Sequence, residues 1–258
     1  MDAILTSSPA RGQTRAPLEL VRLVGVHKHY GSGAHGVHAL HDINLQVNAG
    51  EIIAIYGPSG NGKTSLLNIV GMLDSPSSGS AVIGSLLVSK LSEQARADLR
   101  CEMIGYVFQS FSLIPVMTAL ENVLLPLMLR SRMSKGELAA KSALANDLLA
   151  QLGLATQASH YPPRLDASQS QRVAIARALV TQPRLVIADE PTSRLDSGCI
   201  RTVMDLFSRY QRDHGTAFLI STRDQRQLSR VTRTLQLNDG RLLGNTADNG
   251  RQSLRAKR

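Results

Sequence analysis

The sequence predicts an α/β fold organised around a mainly parallel sheet, and three observations carry that prediction. Strand-like runs alternate with helical ones along the chain, the pattern of parallel strands covered by helices on both faces. One strand passes through a glycine-rich turn directly into a helix. The 258 residues, 43% of them apolar, are enough to bury a full core in one large domain with room for a smaller insert.

The elements follow in order. The first 17 residues, MDAILTSSPARGQTRAP, are rich in Ser, Pro, Gly and Arg and lack the apolar core of a secretory signal, so residues 1–17 are expected to be a flexible leader. β-Branched or alternating runs predict strands at LELVRLVGV (18–26), HDINLQV (41–47) and EIIAIYG (51–57), with a helix through KTSLLNIVGML (63–73). A further strand is expected at EMIGYVF (102–108). From about 112 to 164 leucine and alanine recur at helical spacing in TALENVLLPLMLR and KGELAAKSALANDLLAQLGL, which marks a helical insert. The run SQRVAIARALV begins another helix, and RLVIAD, TAFLIS and RTLQLND are strands, the last meeting a turn at Asp239 and Gly240. Arg226, Arg230 and Arg233 at helical spacing predict a helix with one basic face, a solvated face or a contact for lipid headgroups or an acidic protein loop. The main domain is assigned to 18–245 and a basic tail to 246–258, ending in RQSLRAKR.

Composition narrows the partners. A formal net charge of +9 and an isoelectric point near 10.1 favour an anionic ligand: nucleotide, nucleic acid or lipid surface. Aromatic residues are only 3% of the chain and Trp is absent, which argues against the stacking platforms that hold single-stranded nucleic acids. Cys101 and Cys199 stand apart without the spacing of a disulfide framework or zinc site, in keeping with a reducing, cytoplasmic compartment. No segment approaches the roughly 20 apolar residues needed to span a bilayer, so the expectation is a soluble or peripheral chain.

Two segments carry chemistry. In GPSGNGKTS, Gly57, Pro58, Ser59, Gly60, Asn61, Gly62, Lys63, Thr64 and Ser65 fit the phosphate-loop pattern. Glycines let the backbone curl so that successive N–H groups face phosphate oxygens, and the following helix adds its positive end. Lys63 is expected to reach the β- and γ-phosphates, and Thr64 to help hold Mg²⁺. In RLVIADEPTS an apolar strand ends in two acids, placing Asp189 to hold the Mg²⁺ shell and Glu190 to polarise an attacking water.

With these segments in order, the chain resembles the ATP-binding cassette ATPases over roughly residues 18–245, and within them the lipoprotein-release and macrolide-export group. Tyr30 in HKHYG matches the aromatic that stacks on adenine, and Gln109 in YVFQSF the glutamine that links the metal site to membrane subunits. LIPVMTALENVLLPLML looks like that group's insert, ADEP its second nucleotide motif, and SRLD, ending at Asp196, the loop that crosses the dimer interface. The resemblance implies a parallel core sheet with an antiparallel β subdomain, ATP and Mg²⁺ as ligands, and a second cassette, identical or different, facing the first head to tail. It also implies an integral membrane permease as partner, a peripheral place on the inner face of the cell membrane, and no nucleic acid. The alternatives are a regulatory cassette that closes on ATP without productive hydrolysis, and a soluble cassette of DNA repair or translation. The latter carries long insertions or tandem cassettes that are not found here.

Two motifs depart from that pattern. The family's LSGGQ is here LDASQ: Asp166, acceptor-only when ionised, stands where a serine donates to the γ-phosphate, and Ala167 and Ser168 add atoms where bare backbone approaches it. Two unit charges about 4 Å apart at an effective dielectric near 20 interact by about 4 kcal/mol, enough to reverse the sign of the phosphate contact. Asp166 remains a good N-cap, with Gln169 completing a capping box. In LISTRD, Arg223 replaces a histidine; it can grip phosphate but cannot accept a hydrogen bond from water. Across a head-to-tail homodimer Arg223 of one chain and Asp166 of the other would flank one γ-phosphate and could pair.

Overall fold

The structure is a computed structural model that describes residues 18–31, 36–130 and 135–247, without the side chains of residues 135, 225–227 and 244–247. The expected leader and the RQSLRAKR tail lie outside the described residues. In chain order the elements are β1 (Glu19–Tyr30), β2 (Val37–Asn48), β3 (Ile52–Tyr56), α1 (Lys63–Val70), β4 (Ser78–Ile83), β5 (Leu86–Leu87), α2 (Glu93–Met103) and β6 (Ile104–Val107). There follow α3 (Ala119–Arg130), α4 (Lys135–Gln151), α5 (Ala167–Leu179), β7 (Leu185–Asp189), α6 (Ser197–His214), β8 (Ala217–Thr222), β9 (Arg233–Asn238) and β10 (Arg241–Ala247).

Two sheets form. The core sheet runs β10-β9-β3-β8-β7-β6, parallel except for the β9–β10 hairpin at its edge, and the smaller antiparallel sheet runs β2-β1-β4-β5. Because side chains alternate along a strand, β3, β7 and β8 feed two separate cores. Ile52, Val186, Ala188, Phe218 and Ile220 pack with α3 to α6 on one face. Ile53, Ile55, Ile187 and Leu219 pack with α1 and the antiparallel sheet on the other. Burial on both faces explains why these strands read as continuous apolar runs. Their register pairs Tyr56 with Thr222 and Asp189 with Ser221, so the loops that leave the carboxyl ends of β3, β7 and β8 emerge side by side.

The expected strands and helices are present, with four corrections. β4 and β5 are built from SGSAVI and a two-residue run, too polar and too short to register as strands; they form because β1 offers β4 an edge. α2 ends at Met103, so the strand expected from Glu102 starts at Ile104. β10 continues to Ala247, held by the turn at Gly240. No helix carries Arg226, Arg230 and Arg233: Gln225–Arg230 is a short 3₁₀ segment and Arg233 begins β9. Instead of lining one basic face, Arg230 pairs with Asp205, while Arg233 lies 3.6 Å from Glu51 and donates to the Gln46 carbonyl at 2.9 Å. The insert is helical, α3 and α4 packing on one another and on α5.

The helix α5, which begins within LDASQ, starts as its residues require. Asp166 Oδ1 accepts from the Gln169 N–H at 2.7 Å, and the Asp166 N–H donates to Gln169 Oε1 at 3.0 Å, which closes the capping box of α5. Replacing Asp166 by Ala is expected to lower stability by about 1 kcal/mol, and Asp166→Ser by only a few tenths. Urea denaturation checks this: equal losses in the two variants would show that the cap does not matter.

Candidate nucleotide site

The turn from β3 to α1 is shaped by its glycines. Gly62 has φ +93°, and a Cβ there would stand 2.4 Å from the Ala39 carbonyl; one at Gly57 would stand 2.1 Å from the Leu237 carbonyl. The loop is thus wedged between β2 and the end of β9, and Asn61 pins it by donating to Asn238 Oδ1 at 2.9 Å. Lys63, buried at the first turn of α1, donates to the carbonyls of Gly57 and Pro58 at 2.6 and 2.7 Å. Burial lowers its pKa, opposed by the charge of Glu190.

Asp189 closes β7 as a buried carboxylate with hydrogen bonds from both sides. Thr64 Oγ1 donates to its Oδ2 at 2.7 Å and Ser221 Oγ to its Oδ1 at 2.5 Å. The same Ser221 hydroxyl accepts the Glu190 N–H at 2.8 Å. Glu190 needs that support because it sits at φ +48°, a conformation that costs a non-glycine residue about 1–3 kcal/mol. Its carboxylate is engaged bidentately by Arg223, Nε to Oε1 at 2.5 Å and Nη2 to Oε2 at 2.9 Å, with Gln109 Nε2 at 3.4 Å from Oε2. Hydrogen bonding to Glu190, then its charge, raises the Arg223 pKa further.

At the opposite end, Tyr30 closes β1. Its hydroxyl donates to Asp74 Oδ2 at 2.8 Å, Lys28 Nζ meets Asp74 Oδ1 at 2.6 Å, and the Lys28 ammonium lies 4.8 Å from the centre of the Tyr30 ring. One face of the ring is thereby taken by a cation. Burial would raise the Asp74 pKa, but hydrogen bonds from Lys28, Tyr30 and the Ser75 N–H outweigh it and leave the carboxyl below its ordinary range.

One cleft brings together most of the residues expected from sequence: Tyr30 at one end, Ser59, Gly60, Gly62, Lys63, Thr64 and Ser65 along its floor, and Gln109, Glu190 and Arg223 at the other end. Asp189 lines the adjoining cleft with Thr64 and Gln109. Gly57, Pro58 and Asn61 do not line this cleft; their contacts set the loop's shape. Nor does Asp166 line it. The Thr64 hydroxyl and Asp189 carboxylate, adjacent oxygen donors beside the phosphate loop, suit a hard cation such as Mg²⁺. Sequence reasoning missed Asp74 and Ser221. Ser221 was within reach, since it closes the run TAFLIS expected as a strand; nothing in the sequence ties Asp74 to Tyr30 across 44 positions.

A parallel sheet whose strand ends present a phosphate loop, a buried aspartate and a neighbouring glutamate defines a nucleoside-triphosphate-binding cassette. The model of the family described as ABC transporter matches residues 40–193. The "Lipoprotein-releasing system ATP-binding protein LolD" of Bordetella avium (strain 197N) is 42% identical over 216 residues, 84% of this chain and 92% of that protein. Among solved structures, a dimer of the ATP-binding cassette MJ0796 in a post-hydrolysis state bound to ADP and Pi is 37% identical, with a TM-score of 0.83 over 88% of this chain and 98% of that one. The cbiO1 chain from Clostridium perfringens, part of the cbiONQ complex, is 25% identical, with a TM-score of 0.75 over 89% of this chain and 88% of that one. This chain belongs to the ABC transporter family, as an ATP-binding cassette ATPase. Among the described residues no helix is long and apolar enough to cross a membrane.

The Asp74 arrangement gives a pH-dependent stability with a defined sign. A carboxyl whose pKa falls on folding adds stability that is complete above its unfolded value of 3.8 and is lost as the pH drops below it. Thermal unfolding below pH 3.8 is therefore expected to fall less steeply for Asp74→Asn than for the natural chain; parallel curves would reject the assignment.

Proposed function

We propose that this chain is the ATP-binding subunit of a membrane transport complex of the lipoprotein-release type, coupling Mg-ATP binding and slow hydrolysis to movement of a partner permease. The supporting observation is the single cleft in which the Tyr30 ring, the phosphate loop, Glu190 and Arg223 meet. Tyr30 stacks on adenine with the face that Lys28 leaves free, and Ser59, Gly60 and Gly62 to Ser65, Lys63 among them, take the phosphates on a loop whose shape Gly57, Pro58 and Asn61 set. Thr64, Asp189 and Gln109 serve the metal, and Glu190 polarises the water. The permease docks on the Gln109 loop and the helical insert, where Val116, Met128 and Leu129 are exposed. The cassette is placed on the inner face of the cell membrane and works with a second cassette, identical or different. The likeness to the Bordetella avium protein favours lipoprotein release over other cargo.

Two residues slow turnover. A general base contributes roughly 10²–10⁴-fold to a hydrolytic step, and Glu190 is a weaker base toward water while both its oxygens accept from Arg223. Asp166 brings a negative charge to the signature position that, in a head-to-tail dimer, faces the partner's nucleotide. A regulatory cassette with little hydrolysis is the second reading, favoured by the same Arg223–Glu190 pair. On dimer closure Asp166 of a second copy offers Arg223 an alternative carboxylate; charge exchange between positions 166 and 223 then preserves closure while either single change weakens it.

Two measurements check the proposal. ATP with Mg²⁺ is expected to raise the unfolding temperature, and Lys63→Ala to abolish that rise; an unchanged rise in the variant would remove the nucleotide assignment. In single-turnover assays Arg223→His is expected to speed hydrolysis at least about tenfold. If the natural chain already turns over as fast as the variant, Arg223 does not restrain Glu190.

A further inference from the structure

The loop that carries Gln109 follows β6 and turns through two left-handed residues, Phe111 at φ +60° and Ser112 at φ +50°. Such backbone is costly for residues with a Cβ and persists only where the surroundings hold it. Within the loop, the Ser112 N–H donates to the Ser110 carbonyl at 2.7 Å and the Phe111 N–H to the Phe108 carbonyl at 3.3 Å. Further along, Asn122 of α3 takes over: its fully buried side chain accepts from the Ile114 N–H at 2.7 Å and donates to the Met117 carbonyl at 3.0 Å.

The two left-handed residues themselves are held by Arg177, in the last turn of α5. Arg177 is only 9% exposed, and its Nη1 donates to the Ser112 carbonyl and its Nη2 to the Phe111 carbonyl, each at 2.6 Å. Burial lowers its pKa, and among the described residues no acid offsets that, yet an arginine stays charged. A buried cation without a carboxylate is tolerated only when its N–H groups are satisfied, so the two carbonyls serve Arg177 as much as it serves them. From the other side the Arg194 guanidinium lies 4.9 Å from the centre of the Phe111 ring. Gln109, two residues before the turn, lines the cleft with Glu190 and the adjoining one with Asp189.

We propose that, with Gln109 in the metal-side role assigned to it above, Arg177 is the positioning residue that aims Gln109 into the cleft. The planar guanidinium offers two N–H donors as a fixed fork, matched to two successive carbonyls, which a lysine ammonium does not reproduce. Loosening the fork lets Phe111 and Ser112 relax toward right-handed backbone. A change of that size two residues away swings the Gln109 amide off Glu190. Arg177 touches neither nucleotide nor metal and acts only through the turn.

The test takes two measurements on the full-length chain. Without nucleotide or metal, amide hydrogen exchange over residues 109–113 is expected to quicken at least about tenfold in Arg177→Lys, through loss of a charge-assisted pair of hydrogen bonds. In single-turnover hydrolysis at saturating Mg-ATP, Gln109→Ala is expected to be about 10–100-fold slower and Arg177→Lys at least about tenfold slower. The double variant is expected to be no slower than Gln109→Ala alone, because Arg177 acts through Gln109. Ser112→Val, at an exposed position whose left-handed backbone a β-branched residue resists, disturbs the same turn without entering the core. It should behave as Arg177→Lys does, and it replaces that variant in both measurements should Arg177→Lys fail to fold. Losses that multiply in the double variant, or exchange or hydrolysis unchanged in the turn variants, would overturn the role of Arg177 while leaving that of Gln109. Undiminished hydrolysis in Gln109→Ala would overturn both.

Discussion

The Asp189 carboxylate is the point on which the rest of the site turns. A buried charge is tolerated only when hydrogen bonds satisfy it, and here the donors come from Thr64 at the start of α1 and Ser221 at the end of β8. Three elements far apart in sequence are thereby held at one spot, at the carboxyl ends of three parallel strands. Ser221 extends the link to the Glu190 backbone, keeping that residue in its unfavourable conformation. The phosphate loop, the Asp189 carboxylate and Glu190 are thus one mechanical unit rather than three neighbouring motifs.

Charge balance within the cleft follows from the same unit. Lys63 and Arg223 face Asp189 and Glu190, two cations against two anions. Each cation rests on oxygen atoms of its own chain: Lys63 on the loop carbonyls and Arg223 on Glu190. A polyanion entering the cleft competes for both. The arginine therefore ties the state of Glu190 to whatever fills the cleft, a link that a histidine, free to be neutral near pH 7, makes far more weakly.

The Tyr30 end of the cleft is coupled to the phosphate loop by a different route. Asp74 lies just beyond α1 and holds Tyr30 and Lys28, so the helix that opens with the phosphate loop also anchors the aromatic platform.

Much of this was legible in the sequence because it is written in local pattern. The glycines and lysine of GPSGNGKTS, the apolar run ending in Asp189 and Glu190, and the capping pair Asp166 and Gln169 each act through neighbours within a few residues. The apolar strands and the leucine periodicity of the insert likewise fix element type. What the sequence left undecided depends on partners distant along the chain. β4 is a strand because β1 lends it an edge, and β5 because β4 does the same in turn. Arg226, Arg230 and Arg233 share no helix because Arg233 is drawn into β9 beside β3. Arg223 reaches Glu190 because the ends of β7 and β8 are in register. Periodicity reports which face a residue shows to its own element, whereas pairing, burial and the company of charges are set only when separate elements meet.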